Sequence, residues 1–133
     1  MASGPFLDSN ILVFAYSNDS RSVTAKALCA QPHTISVQSL NEFANVSRRK
    51  LNMGWDAIVL RLVAIVDLAD TVMPLTFEMH QNAIALADRY KLQVYDSLII
   101  AAALQAGCDT LYSEDMQHGL VIEGCLTVRN PFA

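Results

Sequence analysis

Four acidic residues stand where the chain changes from one element to the next. They are Asp8 in "FLDSN", Glu42 in "SLNEF", Asp96 in "VYDSL" and Asp115 in "YSEDMQHG". Apolar sequence flanks nearly every one of them. Carboxylates gathered in one place repel: two about 4 Å apart cost about 4 kcal/mol at an effective dielectric near 20. Such a group either raises its pKa values or recruits a cation. Oxygen-only ligands favour Mg²⁺ or Mn²⁺ over zinc, and no His or Cys stands at these four positions. The chemistry indicated is the binding of a hard divalent cation.

Each acid also has a plain structural reading. Asp96 suits an N-cap, and Asp8, Ser9 and Asn10 suit the cap of a first helix. Ser39 and Glu42 match the S-x-x-E capping box. Asp115 suits the cap of a short turn. The case for chemistry rests on the four acting together.

The elements that would bring them together follow from the pattern. "PFLDSN" predicts a short buried strand turning into a helix through "ILVFAYS". "SNDSRSVTAKALCAQ" predicts a second helix, ended at Gln31-Pro32. "HTISVQ" is a strand, and "SLNEFANVSRRKL" opens a helix reaching about Asn52. In "GWDAIVLRLVAIVDLA" a helical period puts Trp55, Ile58, Val59, Leu62, Ile65, Val66 and Ala69 on one face. "TVMPL" is a strand. "TFEMHQNAIALADRYK" places Met79, Ala83, Leu86, Ala87 and Tyr90 on a helix face. The segment after Asp96 is apolar on nearly every side, which belongs to a buried helix, and Gly107 ends it. "DTLYS" and "CLTVRNPF" are the last strands. Alternating strands and helices predict an α/β fold with a parallel sheet covered on both faces. In such a sheet, ligands bind beyond the carboxyl ends of the strands, where the order reverses. Asp8 and Asp115 fall there directly, and Glu42 and Asp96 reach it from helix N-termini.

Composition fits one domain over residues 1–133. Hydrophobic residues make up 53% and charged ones 17%, which implies buried layers or an apolar interface. No apolar run approaches the roughly 18–20 residues that cross a bilayer; "IVLRLVAIVDLA" is broken by Arg61 and Asp67. "MASGPF" carries no signal-peptide core. Cys29, Cys108 and Cys125 follow no metal spacing and read as thiols in a reducing cytoplasm. The formal charge of −4 opposes nucleic-acid binding, but two divalent ions would offset it.

The stretches "LDSNILVFAYS", "SLNEFANVSRRK", "VYDSLIIAAALQAGCDTLYSEDMQHG" and "LTVRNPF", in that order, resemble the PIN-domain ribonucleases, especially VapC-type toxins of bacterial toxin–antitoxin pairs. The resemblance covers the chain almost end to end. It implies a three-layer α/β/α sandwich around a parallel sheet of four or five strands. It also implies a Mg²⁺- or Mn²⁺-dependent endoribonuclease, an antitoxin partner and a homodimer. By position the acidic quartet is Asp8, Glu42, Asp96 and Asp115. Asn10 and Ser113 match its supporting polar residues. Glu114 is an extra acid beside Asp115, and Asp115 is the one expected to face the metal.

Other groups would hold an RNA. Arg48, Arg49 and Lys50 form the only basic run; it reads equally as phosphate contact and as a helix end that favours cations. Arg21 and Lys26 stand on the preceding helix. His118 is expected to bond backbone. Rival readings share the layout. A phospho-receiver module needs an acceptor Asp on a middle strand and a Lys near the last; "TVMPLT" has no Asp, and Arg129 stands on the last strand. An acid-dependent phosphatase needs two Asp two residues apart, and "DSN" supplies one. The alternative to a nuclease is a non-catalytic Mg²⁺-binding signalling or scaffold module of similar α/β fold.

Overall fold

Phe6 and Leu7 adjoin in the chain, are both fully buried, and belong to different cores. Successive side chains on a strand point to opposite faces, so these two residues of β1 (Phe6–Leu7) mark the two sides of a sheet. The computed structural model describes residues 4–133. Residues 1–3, the start of the stretch expected to lack a signal core, lie outside them.

On the Leu7 side lie α1 (Ser9–Ala15), α2 (Ser22–Cys29), α3 (Val37–Arg49) and α4 (Trp55–Leu68). Ile11, Leu12, Ala25, Phe43 and Ile65 from these helices bury Leu7 together with Ile35 of β2 (Thr34–Ser36). On the Phe6 side lie α5 (Phe77–Tyr90) and α6 (Val94–Gln105). Met79, Ala83 and Leu86 of α5 and the run Leu98–Ala103 of α6 close that core. α6 is buried along its whole middle, as its all-round apolar sequence requires. The layers are α/β/α.

The remaining strands are β3 (Thr71–Met73), β4 (Thr110–Tyr112), β5 (Val121–Ile122) and β6 (Leu126–Arg129). The sheet has six strands in the order β3-β2-β1-β4-β6-β5. Five of the strands are parallel, as expected, and the sixth, β5, adds one strand to the four or five expected. All neighbours are parallel except β5, which pairs antiparallel with β6. The additional strand arises from a tight hairpin whose connection is the three residues 123–125. Glu123 and Gly124 both have positive φ, and Cys125 N–H donates to Ile122 O at 3.0 Å, as tight hairpin turns require.

Two element boundaries also differ from expectation. α3 begins at Val37 rather than at Ser39, and its C-cap is Lys50. α4 buries only Ile58 and Ile65. Trp55, Val59 and Val66, expected on its core face, are 57%, 55% and 41% exposed. The apolar stripe on α4 is wider than the surface beneath it. Among the described residues no helix is long and apolar enough to cross a membrane.

Candidate active site

β1 pairs with β2 on one side and with β4 on the other. Chain order therefore reverses between β1 and β4, and a crevice opens beyond their carboxyl ends. The register Leu7 to Tyr112 puts Asp8 beside Ser113 as both strands end. Asp8 N–H donates to Tyr112 O at 3.0 Å.

Asp8 is 4% exposed. It does cap α1, accepting the Ser9 N–H at 2.7 Å on Oδ1. Its other oxygen accepts the Ser113 hydroxyl at 2.7 Å and the Asn10 amide at 3.4 Å. Capping thus uses one oxygen, and the second is held from across the sheet. Burial pushes the Asp8 carboxyl from 3.8 up to about 7, and the charges of Glu42 and Asp96 push the same way. The hydrogen bonds from Ser113 and Ser9 pull it back in part. A carboxyl kept this dry beside other acids has its charged form destabilised.

Glu42 is not part of a capping box. Because α3 starts early, the box forms between Ser36 and Ser39 instead. That leaves the Glu42 carboxylate for other partners. Its Oε1 accepts the Ser9 hydroxyl at 2.9 Å, and its Oε2 accepts the Gln38 amide at 3.2 Å. Ser9 therefore ties the first acid to the second: its N–H donates to Asp8 and its hydroxyl to Glu42.

Asp96 is not the N-cap of α6, which is Gln93. It lies in the first turn, half-buried, near the positive end of the helix. Burial raises its pKa, and the charges of Glu42 and Asp115 raise it further. Asp115 is exposed. Glu114 points to a different partner: its carboxylate takes the Arg21 guanidinium at 2.5 Å. The Glu114 N–H donates to Asn10 Oδ1 at 3.2 Å.

The charges of Glu42 and Asp96 thus act on Asp8, and those of Glu42 and Asp115 act on Asp96. Among the described residues, no three His, Cys, Asp or Glu side chains form a preformed metal cage. The donor chemistry nevertheless suits a hard cation. Mg²⁺ keeps several waters and needs only one or two carboxylates, not a full protein cage.

The basic run splits. Arg48 donates to Met53 O at 3.0 Å and lies over the Trp55 ring, so it holds the α3–α4 turn. Arg49 and Lys50 are exposed. His118 Nδ1 accepts the Asn130 N–H at 2.9 Å, the backbone bond expected of it. Cys29, Cys108 and Cys125 are free thiols.

Sequence reasoning missed Gln38, and it missed the bonds made by Ser9, named there only as a cap, and by Arg21, named there only beside the basic run. The Gln38–Glu42 pair had a signal, since residues four apart share a helix face. Ser9 and Arg21 had none, because their partners lie 33 and 93 residues away.

An α/β/α sandwich with an acidic crevice at its switch point defines a class of protein. The profile of the PIN domain family matches residues 6–119, and the chain belongs to that family. Solved structures resemble it along most of its length. A toxin–antitoxin complex from Klebsiella pneumoniae matches at TM-score 0.71 and 22% identity, covering 96% of this chain and 98% of that one. VapC20 of Mycobacterium tuberculosis, a sarcin–ricin-loop-cleaving toxin, matches at TM-score 0.70 and 20% identity, covering 84% and 92%. VapBC2 from Rickettsia felis, bound to a DNA fragment from its promoter, matches at 0.67 and 19%, covering 94% and 96%. At these identities the likeness concerns the fold. No curated protein sequence matches the chain.

Proposed function

We propose that this chain, acting as one PIN-like unit over residues 1–133, is a Mg²⁺- or Mn²⁺-dependent endoribonuclease and the toxin of a VapC-type toxin–antitoxin pair. The observation that carries the reading is the buried Asp8 carboxylate, held by Ser113 at 2.7 Å and charge-coupled to Glu42 and Asp96. Membership of the PIN family and the likeness to VapC structures support it.

Asp8, Asp96 and Asp115 would hold one or two cations, with Glu42 as a further ligand or water-holder. When bound, the cation supplies activated water and charge neutralisation at the phosphoryl group. The chain's own part is positioning. Ser113 and the Ser9 N–H fix Asp8, and Ser9 and Gln38 fix Glu42. Asn10 straps β4 to α1 by accepting from Glu114 N–H while donating to Asp8. Arg21 pairs with Glu114 as well as with Asp19. The packed middle of α6 holds Asp96 rigid, so little entropy is lost on ligation. Arg49 and Lys50 contact phosphates along α3, whereas Arg48 maintains the turn that follows.

The apolar face of α4 fits an antitoxin or a second copy of the chain, and the site of action is the cytoplasm. The test is cleavage of a mixed RNA pool with Mg²⁺ or Mn²⁺, with and without chelator. Metal-dependent cleavage lost in Asp8→Ala and Asp96→Ala supports the enzyme. Tight partner binding with no cleavage supports the non-catalytic scaffold.

A further inference from the structure

A polar cavity of about 410 Å³ opens directly from Glu42 and is lined by Gln38, Asn41, Glu42, Asn45 and Tyr95. Its size suits a small planar group. No Lys or Arg lines it, so it is not a phosphate seat. Asn41 and Asn45 are exposed and lie one turn apart on α3. Each carries two donors and an acceptor. Asn is a poor helix former, so two of them on one stripe are not there for the sake of the helix. Tyr95 is 63% exposed and immediately precedes Asp96. An exposed ring beside solvent-facing amides matches the way unpaired bases are recognised, by stacking and by hydrogen bonds to their edges.

We propose that this groove is a base-reading subsite: a nucleotide flanking the cleaved bond stacks on Tyr95 and presents its edge to Asn41 and Asn45. The inference rests on the nuclease reading and adds to it the residues that contact a base beside the cleaved bond. The helical stripe continues from Glu42 and Asn45 to Arg49, which stands about 6 Å further along the axis. Arg49 then meets a backbone phosphate beyond the bound base. Gln38 remains outside the reading set, since its amide is taken by Glu42.

The test is a double-mutant cycle on the single-stranded RNA oligonucleotide that the wild type cuts fastest from a random pool. An abasic residue is placed in turn on each side of the cleaved bond. At one position it raises the wild-type KM about tenfold, the scale of one base–aromatic stack. Tyr95→Ala raises KM about tenfold with little change in kcat, and adding the abasic residue raises it no further. Tyr95→Phe retains wild-type KM, since it keeps the ring. Asn41→Ala with Asn45→Ala broadens the set of sequences cut. Annealing the oligonucleotide to its complement abolishes cleavage. An unchanged KM in Tyr95→Ala, or losses that multiply, overturns the subsite and leaves the nuclease reading standing. If the wild type cuts no RNA with either cation, both readings fall.

Discussion

Ser113 Oγ lies 2.7 Å from Asp8 Oδ2 although 105 residues separate the two along the chain. Both are buried, one at the end of β4 and the other at the end of β1. This contact closes the switch point of the sheet and fixes the orientation of the most desolvated acid. Removing the hydroxyl in Ser113→Ala frees that acid oxygen and deprives the charged carboxylate of its strongest support. Mn²⁺ affinity falls about 10–100-fold, as for other residues that orient metal ligands. The acid limb of the pH–rate profile moves to higher pH, because Asp8 becomes harder to ionise. Titration calorimetry and a pH–rate series check both.

The dry setting of Asp8 makes stability depend on pH in a defined direction. Its folded pKa is about 7 against 3.8 unfolded. A raised acid favours the folded state while protonated. Its contribution is therefore full below pH 4 and is lost as pH rises to about 7, a span worth roughly 4 kcal/mol. Without metal, Asp8→Asn flattens this part of the stability curve and stabilises the protein at pH 8, while abolishing cleavage. Urea unfolding in chelator at pH 5 and pH 8, on wild type and variant, measures the difference.

Two neighbouring acids at the end of β4 have opposite fates. Glu114 is taken by Arg21, whereas the charge of Asp115 acts on Asp96. Asp115→Asn accordingly lowers cleavage at least tenfold, a loss of about 1.4 kcal/mol in transition-state stabilisation. Glu114→Gln costs less than threefold. Arg21→Ala leaves stability nearly unchanged, since its pairs with Asp19 and Glu114 are partly exposed and solvent-screened. Single-turnover cleavage by the three variants decides the assignment.

The fold was largely legible because its signals are local. Periodicity placed α5, and the unbroken apolar run placed α6 in the interior. The alternation of strands and helices gave the parallel sheet, and element ends located Asp8, Asp96 and Asp115, whereas Glu42 lies in the second turn of α3 and not at its start. What escaped depends on contacts far apart in sequence. The α3 boundary moved because Ser36, not Ser39, caps it, and a capping pattern alone does not choose between two serines three residues apart. The β5–β6 hairpin escaped because its turn uses Glu123-Gly124 in place of the usual Asn-Gly or Asp-Gly. Ser9 and Arg21 escaped because no local spacing marks a bond to Glu42 or Glu114.

The uncovered side of α4 gives a prediction about assembly. Leu60 is 72% exposed and Val63 55%. Replacing either with Asp leaves monomer stability within about 0.5 kcal/mol, as expected of exposed positions. If an antitoxin or a second copy covers α4 as proposed, the same change at Leu60 or Val63 abolishes its binding. Light scattering reports loss of self-association, and co-purification reports loss of the antitoxin. A large fall in melting temperature without change in assembly contradicts this.

In the proposed function, carboxylates from β1, α3, α6 and the β4 end tolerate one another by sharing a divalent cation. Its most direct test is uptake of Mn²⁺ at pH 8, read from the electron paramagnetic resonance signal of the free ion, for wild type, Asp8→Asn and Asp96→Asn. The account predicts one or two ions bound per wild-type chain and loss of most of that uptake in each variant. Equal uptake by all three proteins, or none by the wild type, would contradict it.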